Sequence, residues 1–260
     1  MPTTLATDAR RPQPTRQRAA WLLVSWLVLV LVLGLGATAS ADDAVLADPN
    51  AAGLTHRERL DALVDRVKKE QANLDTMRAR FTQHKESELL VEPHDSRGLF
   101  LYKAPDRVRW EYEAPEPRIM TIRGEEMLTY YPEERRAESV SIGRISEQVF
   151  KYLGAAGSLE TLMKYFSVAA EFPEQAGEPY HLTLLPRYES VRKRLQSMEM
   201  WIDGKSFLPT RVRYVEKGGD VTEYRFEHLE VNGDIPESRF EVVLPAGVEV
   251  DTLDLRQRGR

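Results

Sequence analysis

The stretch RGLFLYKAPDRVRWEYEAPEPRIMTIRGEEMLTYYPEE, Arg97 to Glu134, decides the fold. Within it Val108, Trp110 and Tyr112 alternate with Arg107, Arg109 and Glu111, the two-residue period of a strand that buries one face. Ala104-Pro105-Asp106, Ala114 to Pro117 and Arg123-Gly124 punctuate it as turns, so it reads as consecutive antiparallel strands of a meander. No residue in the stretch is an obvious catalyst.

Upstream, Thr55 with Glu58 three residues later forms a capping-box signature. Leu60, Leu63, Val64, Val67 and Leu74 then recur at helical spacing, opposite Arg59, Asp65, Lys68 and Lys69, which predicts an amphipathic helix. From Met77 to Leu90 the chain begins with a strand-like pattern and then becomes polar, and Val91 to Ser96, with Pro93, reads as a loop. Downstream, Arg136 to Ser141 reads as a further strand. Gly143 to Phe166 then breaks the β pattern with two short helices around a glycine hinge, Gly154 to Gly157. Strands return at Ser167–Phe172, Tyr180–Leu185, Leu195–Ile202, Pro209–Val215 and Thr222–Leu229, with Asp203-Gly204 and Gly218-Gly219 as hairpin turns. Glu241 to Val250, EVVLPAGVEV, ends the domain. About ten strands in one sheet curl or close into a barrel. The helices then plug or line its open side, and the interior is either a filled core or a ligand cavity.

The N-terminus has the three-part layout of a secretory signal peptide: Arg10, Arg11, Arg16 and Arg18, an uncharged apolar run from Trp21 to Leu35, and the small-residue site Ala39-Ser40-Ala41. The alternative is an uncleaved anchor, since Ala20 to Ala37 approaches the roughly 18 apolar residues of a spanning helix. The expected division is a leader over 1–41, a loose mature N-terminus over 42–53, one domain over 54–250 and a charged tail over 251–260. Removing the leader, with four arginines and Asp8, takes the net charge from −5 to −8. An acidic domain argues against a general nucleic-acid or anionic-membrane binder. With no cysteine, the exported domain has only its core to hold it.

The five histidines are scattered, with no HExxH and no i, i+4 pair, and the chain lacks GxSxG, P-loop and GxGxxG motifs. No metal, cofactor or catalytic residue is therefore expected. The apolar inventory stands out instead: Trp110, Tyr112, Met120, Met127, Tyr130, Met198, Met200, Ile202, Val212, Tyr214, Tyr224 and Phe226 mix aromatics with adaptable methionines. A cavity for an alkyl chain and a packed core use the same residue types.

In order and spacing, the chain resembles the LolA-type carriers of outer-membrane lipoproteins, from about Leu60 to Val250. ARFTQ at Ala79–Gln83, Gly98 with Tyr102-Lys103-Ala104-Pro105, Arg109-Trp110-Glu111-Tyr112 with Pro115, Gly124 with Tyr130-Tyr131-Pro132, and Phe240 to Val250, which resembles the family's closing strand with its PxGV ending at Pro245–Val248, carry the resemblance. It implies a mainly β fold: an open, strongly curved antiparallel sheet, an incomplete barrel, with helices covering an apolar cavity. It further implies a soluble, monomeric periplasmic chaperone, not an enzyme, that shelters lipoprotein acyl chains. Such a carrier takes cargo from an ATP-driven extractor in the inner membrane and passes it to an outer-membrane receptor. Twelve residues would line the cavity, Leu101 and Val108 with Trp110, Tyr112, Met120, Met127, Tyr130, Met198, Met200, Ile202, Val212 and Tyr214, and Val149, Leu153, Leu162 and Phe166 would belong to the lid. Some members carry arginine before the proline of the KxP turn, as a lid latch; this chain has Ala104 there, leaving Arg107 and Arg109 as latch candidates. A lipid-sensing or lipid-carrying envelope protein of the same fold is one alternative, and a periplasmic hydrolase another.

Overall fold

A computed structural model describes residues 46–87, 92–141, 159–175 and 177–254. The expected leader, the lid positions Val149 and Leu153 and the Gly154–Gly157 hinge lie outside them.

Helix α1 (His56–Ala72) starts where the capping box places it: the Thr55 hydroxyl accepts from the Glu58 N–H, and the Glu58 carboxylate accepts from the Thr55 N–H at 2.8 Å. Its stripe of Leu63, Val64 and Val67 is buried on the sheet. Six strands follow: β1 (Thr76–Glu86), β2 (His94–Lys103), β3 (Arg107–Ala114), β4 (Arg118–Arg123), β5 (Glu126–Tyr131) and β6 (Arg136–Ser141). After helix α2 (Leu159–Tyr165) come β7 (Phe166–Glu171) and β8 (Tyr180–Pro186), the one-turn helix α3 (Glu189–Arg192), then β9 (Leu195–Ile202), β10 (Pro209–Glu216) and β11 (Val221–Val231). A 3-10 turn at Glu237–Phe240 precedes β12 (Glu249–Asp254).

The twelve strands form one open sheet in the order β12-β6-β5-β4-β3-β2-β1-β11-β10-β9-β8-β7. Two edges remain, so the sheet is curved without closing into a barrel. Strand β1 joins the two meanders by pairing with both β2 and β11. Register stacks large side chains on one face. Met120, Trp110, Phe100 and Ala79 lie directly opposite one another across β4, β3, β2 and β1, and Tyr224, Val212, Met200 and Leu182 do so across β11, β10, β9 and β8. Because side chains alternate across a strand, the intervening residues face the other way.

Three expectations need correcting. The closing strand is not the Phe240–Val250 that the resemblance implies: Pro245 has no N–H to donate and Gly247 takes a φ of +80°, so extended pairing begins only at Glu249. It runs through Asp254, in the expected charged tail, and pairs parallel to β6 in an otherwise antiparallel sheet. Finally, the described part of the expected loose N-terminus is tied down. Asn50 Nδ2 donates to the Tyr180 hydroxyl at 2.8 Å, and Arg59 Nε donates to the Pro49 carbonyl at 2.9 Å.

Candidate functional site

Trp110 is the centre of the inner face. Fully buried, its ring has the rings of Phe81 at 4.7 Å, Phe100 at 4.6 Å, Tyr224 at 5.7 Å and Phe226 at 5.9 Å. These are tilted or edge-to-face arrangements, the geometry aromatic quadrupoles favour. Phe81 continues the block to Tyr112 at 4.9 Å. Gly98 makes that contact possible, since a Cβ there would sit 1.9 Å from the Glu111 carbonyl oxygen and 2.7 Å from the Phe81 ring.

Flexible methionines flank the aromatic block: Met120 and Met127 on β4 and β5, Met198 and Met200 on β9. Helix α1 covers the face with Leu63, Val64 and Val67, and helix α2 with Leu159 and Leu162. Towards the β1–β4 end of the face the chemistry turns polar. Gln83 Nε2 donates to the Tyr224 hydroxyl at 2.7 Å, and the Arg118 guanidinium stacks 3.7 Å from the Tyr112 ring centre. Burial pushes the Tyr112 hydroxyl up to about 12 and that of Tyr224 well above the ordinary tyrosine value, so both stay protonated beyond the pH at which a free tyrosine ionises.

The structure brings ten of the twelve expected cavity residues together: Val108, Trp110, Tyr112, Met120, Met127, Met198, Met200, Ile202, Val212 and Tyr214 share one buried cluster, with Leu162 and Phe166 of the expected lid. Leu101 and Tyr130 do not join them. Leu101 lies one residue from inward-facing Phe100 and Tyr102, and packs on the outer face with Leu99, Ile235 and Phe240. Tyr130 is opposite Ile119, out of phase with Met120 and Met127. Conversely, Phe81 and Phe100 belong to the centre of the site and were not among the expected residues. The alternation of Ala79 and Phe81 was a usable signal; β2 offered none, because its Leu99-Phe100-Leu101-Tyr102 run is apolar on both faces.

The latch candidates also face outward. Arg107 pairs with Glu237 at 3.5 Å, while Arg109 donates to the Glu241 carbonyl at 3.2 Å and pairs with Glu111. Lys103 adds a donation to the Ile235 carbonyl at 3.0 Å and an ion pair to Glu237, and Arg239 reaches Glu111. These residues therefore bind the segment 233–241, which straps the outer face of β2, β3 and β4, and do not face the covering helices.

Among the described residues, no three His, Cys, Asp or Glu side chains converge as metal ligands, and no helix is long and apolar enough to cross a membrane. A groove of about 710 Å³ is lined by Thr82, His84, Asp95, Arg97, Glu223 and Arg225, whose parity places them on the outer face, and by Gln83 and Ser96, whose parity is that of the inner face.

A family model described as "Outer membrane lipoprotein carrier protein LolA" matches residues 72–243. An outer-membrane lipoprotein carrier protein of Alkalilimnicola ehrlichii is 30% identical over 189 residues, covering 68% of this chain and 78% of that one. A protein of the same description from Methylibium petroleiphilum is 28% identical over 200 residues, 77% of this chain and 92% of the other. Among solved structures, an uncharacterized conserved protein of Thermus thermophilus aligns over 75% of this chain and 99% of its own, with 12% identity and a TM-score of 0.49. With the family match spanning most of the sheet that carries the aromatic block, the chain belongs to the LolA family of outer membrane lipoprotein carrier proteins.

Proposed function

We propose that the chain is a periplasmic lipoprotein chaperone that holds cargo acyl chains against the inner face of the sheet and ferries them from the inner to the outer membrane. The observation that carries this reading is the continuity of the inner face. One apolar surface runs from Met127 to Ala170 across the sheet, and among the described residues α1 and α2 are the helices that cover it. An acyl chain in water loses about 0.8 kcal/mol for each methylene left unburied, so transfer through an aqueous compartment requires such a shelter.

The face is packed with the protein's own side chains. Cargo therefore binds by exchange: the covering helices withdraw, and alkyl chain contacts replace those of Leu63, Val64, Val67 and Leu162. Because apolar contacts are exchanged for apolar contacts, the net affinity is a difference between similar terms, which leaves the cargo releasable. Methionines at the margins suit a surface that must repack around different chains. The partners on this reading are acylated lipoproteins, an ATP-driven extractor at the inner membrane and a receptor at the outer one. The protein's work is binding without covalent chemistry.

The test is displacement of an environment-sensitive fluorescent fatty acid from the mature protein by a triacylated lipopeptide. Saturable probe binding, reversed by the lipopeptide and not by its unacylated counterpart, is expected. A protein that bound neither probe nor lipopeptide would have a filled core and no carrier function. One that bound the probe but ignored the lipopeptide would be a lipid carrier instead.

A further inference from the structure

The mature chain is acidic, yet the structure gathers cations at one tip. Strand β8 ends at Pro186, and the chain turns through α3 into β9 with Arg192, Lys193 and Arg194 in succession, all exposed. Backbone bonds fix what surrounds them. The Lys217 N–H donates to the Arg194 carbonyl at 2.8 Å, bringing the β10–β11 turn and its exposed lysine alongside. Arg187 donates from its N–H to the Tyr165 carbonyl and from Nε to the Phe166 carbonyl, each at 2.8 Å, so the tip is clamped to the end of α2. Arg192 pairs with Glu189 at 3.1 Å and donates from Nη1 to the Arg187 carbonyl at 2.6 Å, which holds the turn together beside exposed Lys193, Arg194 and Lys217.

Two apolar side chains stand out of the same tip. Tyr188 is 53% exposed with its ring 5.8 Å from that of Tyr165, and Leu185 is 51% exposed. Large side chains bared beside a cluster of cations are not what a merely solvated surface requires.

We propose that this tip docks on the surface of an anionic phospholipid bilayer. The cations meet headgroup phosphates, and Tyr188 and Leu185 enter the interface, where tyrosine's amphipathic ring is at home. A single helical turn and a hairpin turn form a small protrusion. Stable protein partners need about 800 Å² on each side, whereas a fluid bilayer makes no demand for complementary shape. The acidic remainder of the molecule is repelled by the same surface, so docking is oriented and reversible. Since Tyr165 ends α2, the docked tip brings one of the helices covering the inner face to the membrane. The inference stands apart from the carrier reading, because it concerns a surface that holds no cargo.

Flotation of the mature protein with vesicles tests it. At low salt the protein is expected to float with vesicles of phosphatidylethanolamine and phosphatidylglycerol and not with phosphatidylcholine alone, and to come off as ionic strength rises. Each basic side chain near such a surface is worth roughly a fivefold change in partitioning. The triple variant Arg192→Gln, Lys193→Gln, Arg194→Gln should thus lose roughly a hundredfold in affinity. A charge-matched control, Arg57→Gln, Lys68→Gln, Lys205→Gln, should float like the parent protein, and Tyr188→Ser should float less. No flotation at low salt, salt-insensitive flotation, or a triple variant that floats like the parent protein would each overturn the proposal. So would capture by an acidic protein without any affinity for vesicles. Fatty-acid probe binding by the triple variant should be unchanged, which separates the failure of this proposal from that of the carrier reading.

Discussion

The two faces of the same strands are held together by different physics. On the inner face of β3, Trp110 is wrapped by four aromatic rings and lies opposite Met120. One residue away on the outer face, Arg109 and Glu111 are bound to each other and to the C-terminal strap. Apolar contact is non-directional, so an alkyl chain can substitute for a side chain almost methylene for methylene. Ion pairs and backbone bonds are directional and hold a fixed geometry. The outer face thus keeps the strands in place while the inner face remains exchangeable.

Truncating a tryptophan on each face gives the largest contrast. Trp110→Ala should cost about 3–5 kcal/mol of unfolding free energy, the range for a fully buried aromatic. Trp201, on the outer face, is stacked between His181 at 4.5 Å and Arg211 at 3.9 Å and stays partly exposed. Its replacement by Ala should cost about 1–2 kcal/mol, mainly stacking and cation–π contact. Equal losses in urea denaturation would mean that the faces do not differ as described.

Phe240 probes the strap. It is fully buried, and Phe240→Ala should destabilise the fold by about 3 kcal/mol. Under conditions where the variant is folded, its affinity for the fatty-acid probe should match the parent's, because Phe240 lies behind the sheet. A large loss of affinity at full folding would make the outer face part of the binding site.

The strap also marks the limit of what could be read from the chain. The meander from Arg97 to Glu134 was legible because its three turns and its alternation are local, and the structure places strands between the same turns. Leu101 was misplaced because parity fails in a strand apolar on both sides: Leu99 and Leu101 face a segment more than 130 residues away in sequence, a contact no local pattern encodes. Arg107 and Arg109 were misassigned for the same reason, their partners Glu237 and Glu241 being equally distant. The closing strand begins later than the family resemblance implies because Pro245 and Gly247 delay pairing to Glu249.

Gly98 sits where the faces communicate. Gly98→Ala would drive a methyl into the Glu111 carbonyl on one side and the Phe81 ring on the other. Overpacking against backbone costs about 1–3 kcal/mol, and here it should also disturb the Phe81–Tyr112 contact and so weaken probe binding. A variant as stable as the parent, with unchanged binding, would show that β2 and β3 can move apart freely.

The smallest expected effect lies on the outer face, at His84. Its Nδ1 is 2.6 Å from Asp95 on β2 and its Nε2 is 2.9 Å from Glu86 on β1, while Glu223 across the pair on β11 is already engaged by Arg211 and Arg225. Hydrogen bonds to Asp95 and then to Glu86 raise the imidazole above its ordinary value. A raised folded-state value means that the protonated ring stabilises the native state fully below the unfolded value, about 6.5, and that this contribution disappears as pH rises through the folded-state value. The ring is partly exposed, so the contribution should stay under about 1 kcal/mol after solvent screening. The difference in melting temperature between the parent and His84→Gln should therefore be greatest at mildly acid pH and shrink above neutrality. If the difference instead grew as pH rose, the ring would be acting as a neutral acceptor, and the outer face would hold its strands at this point by something other than charge.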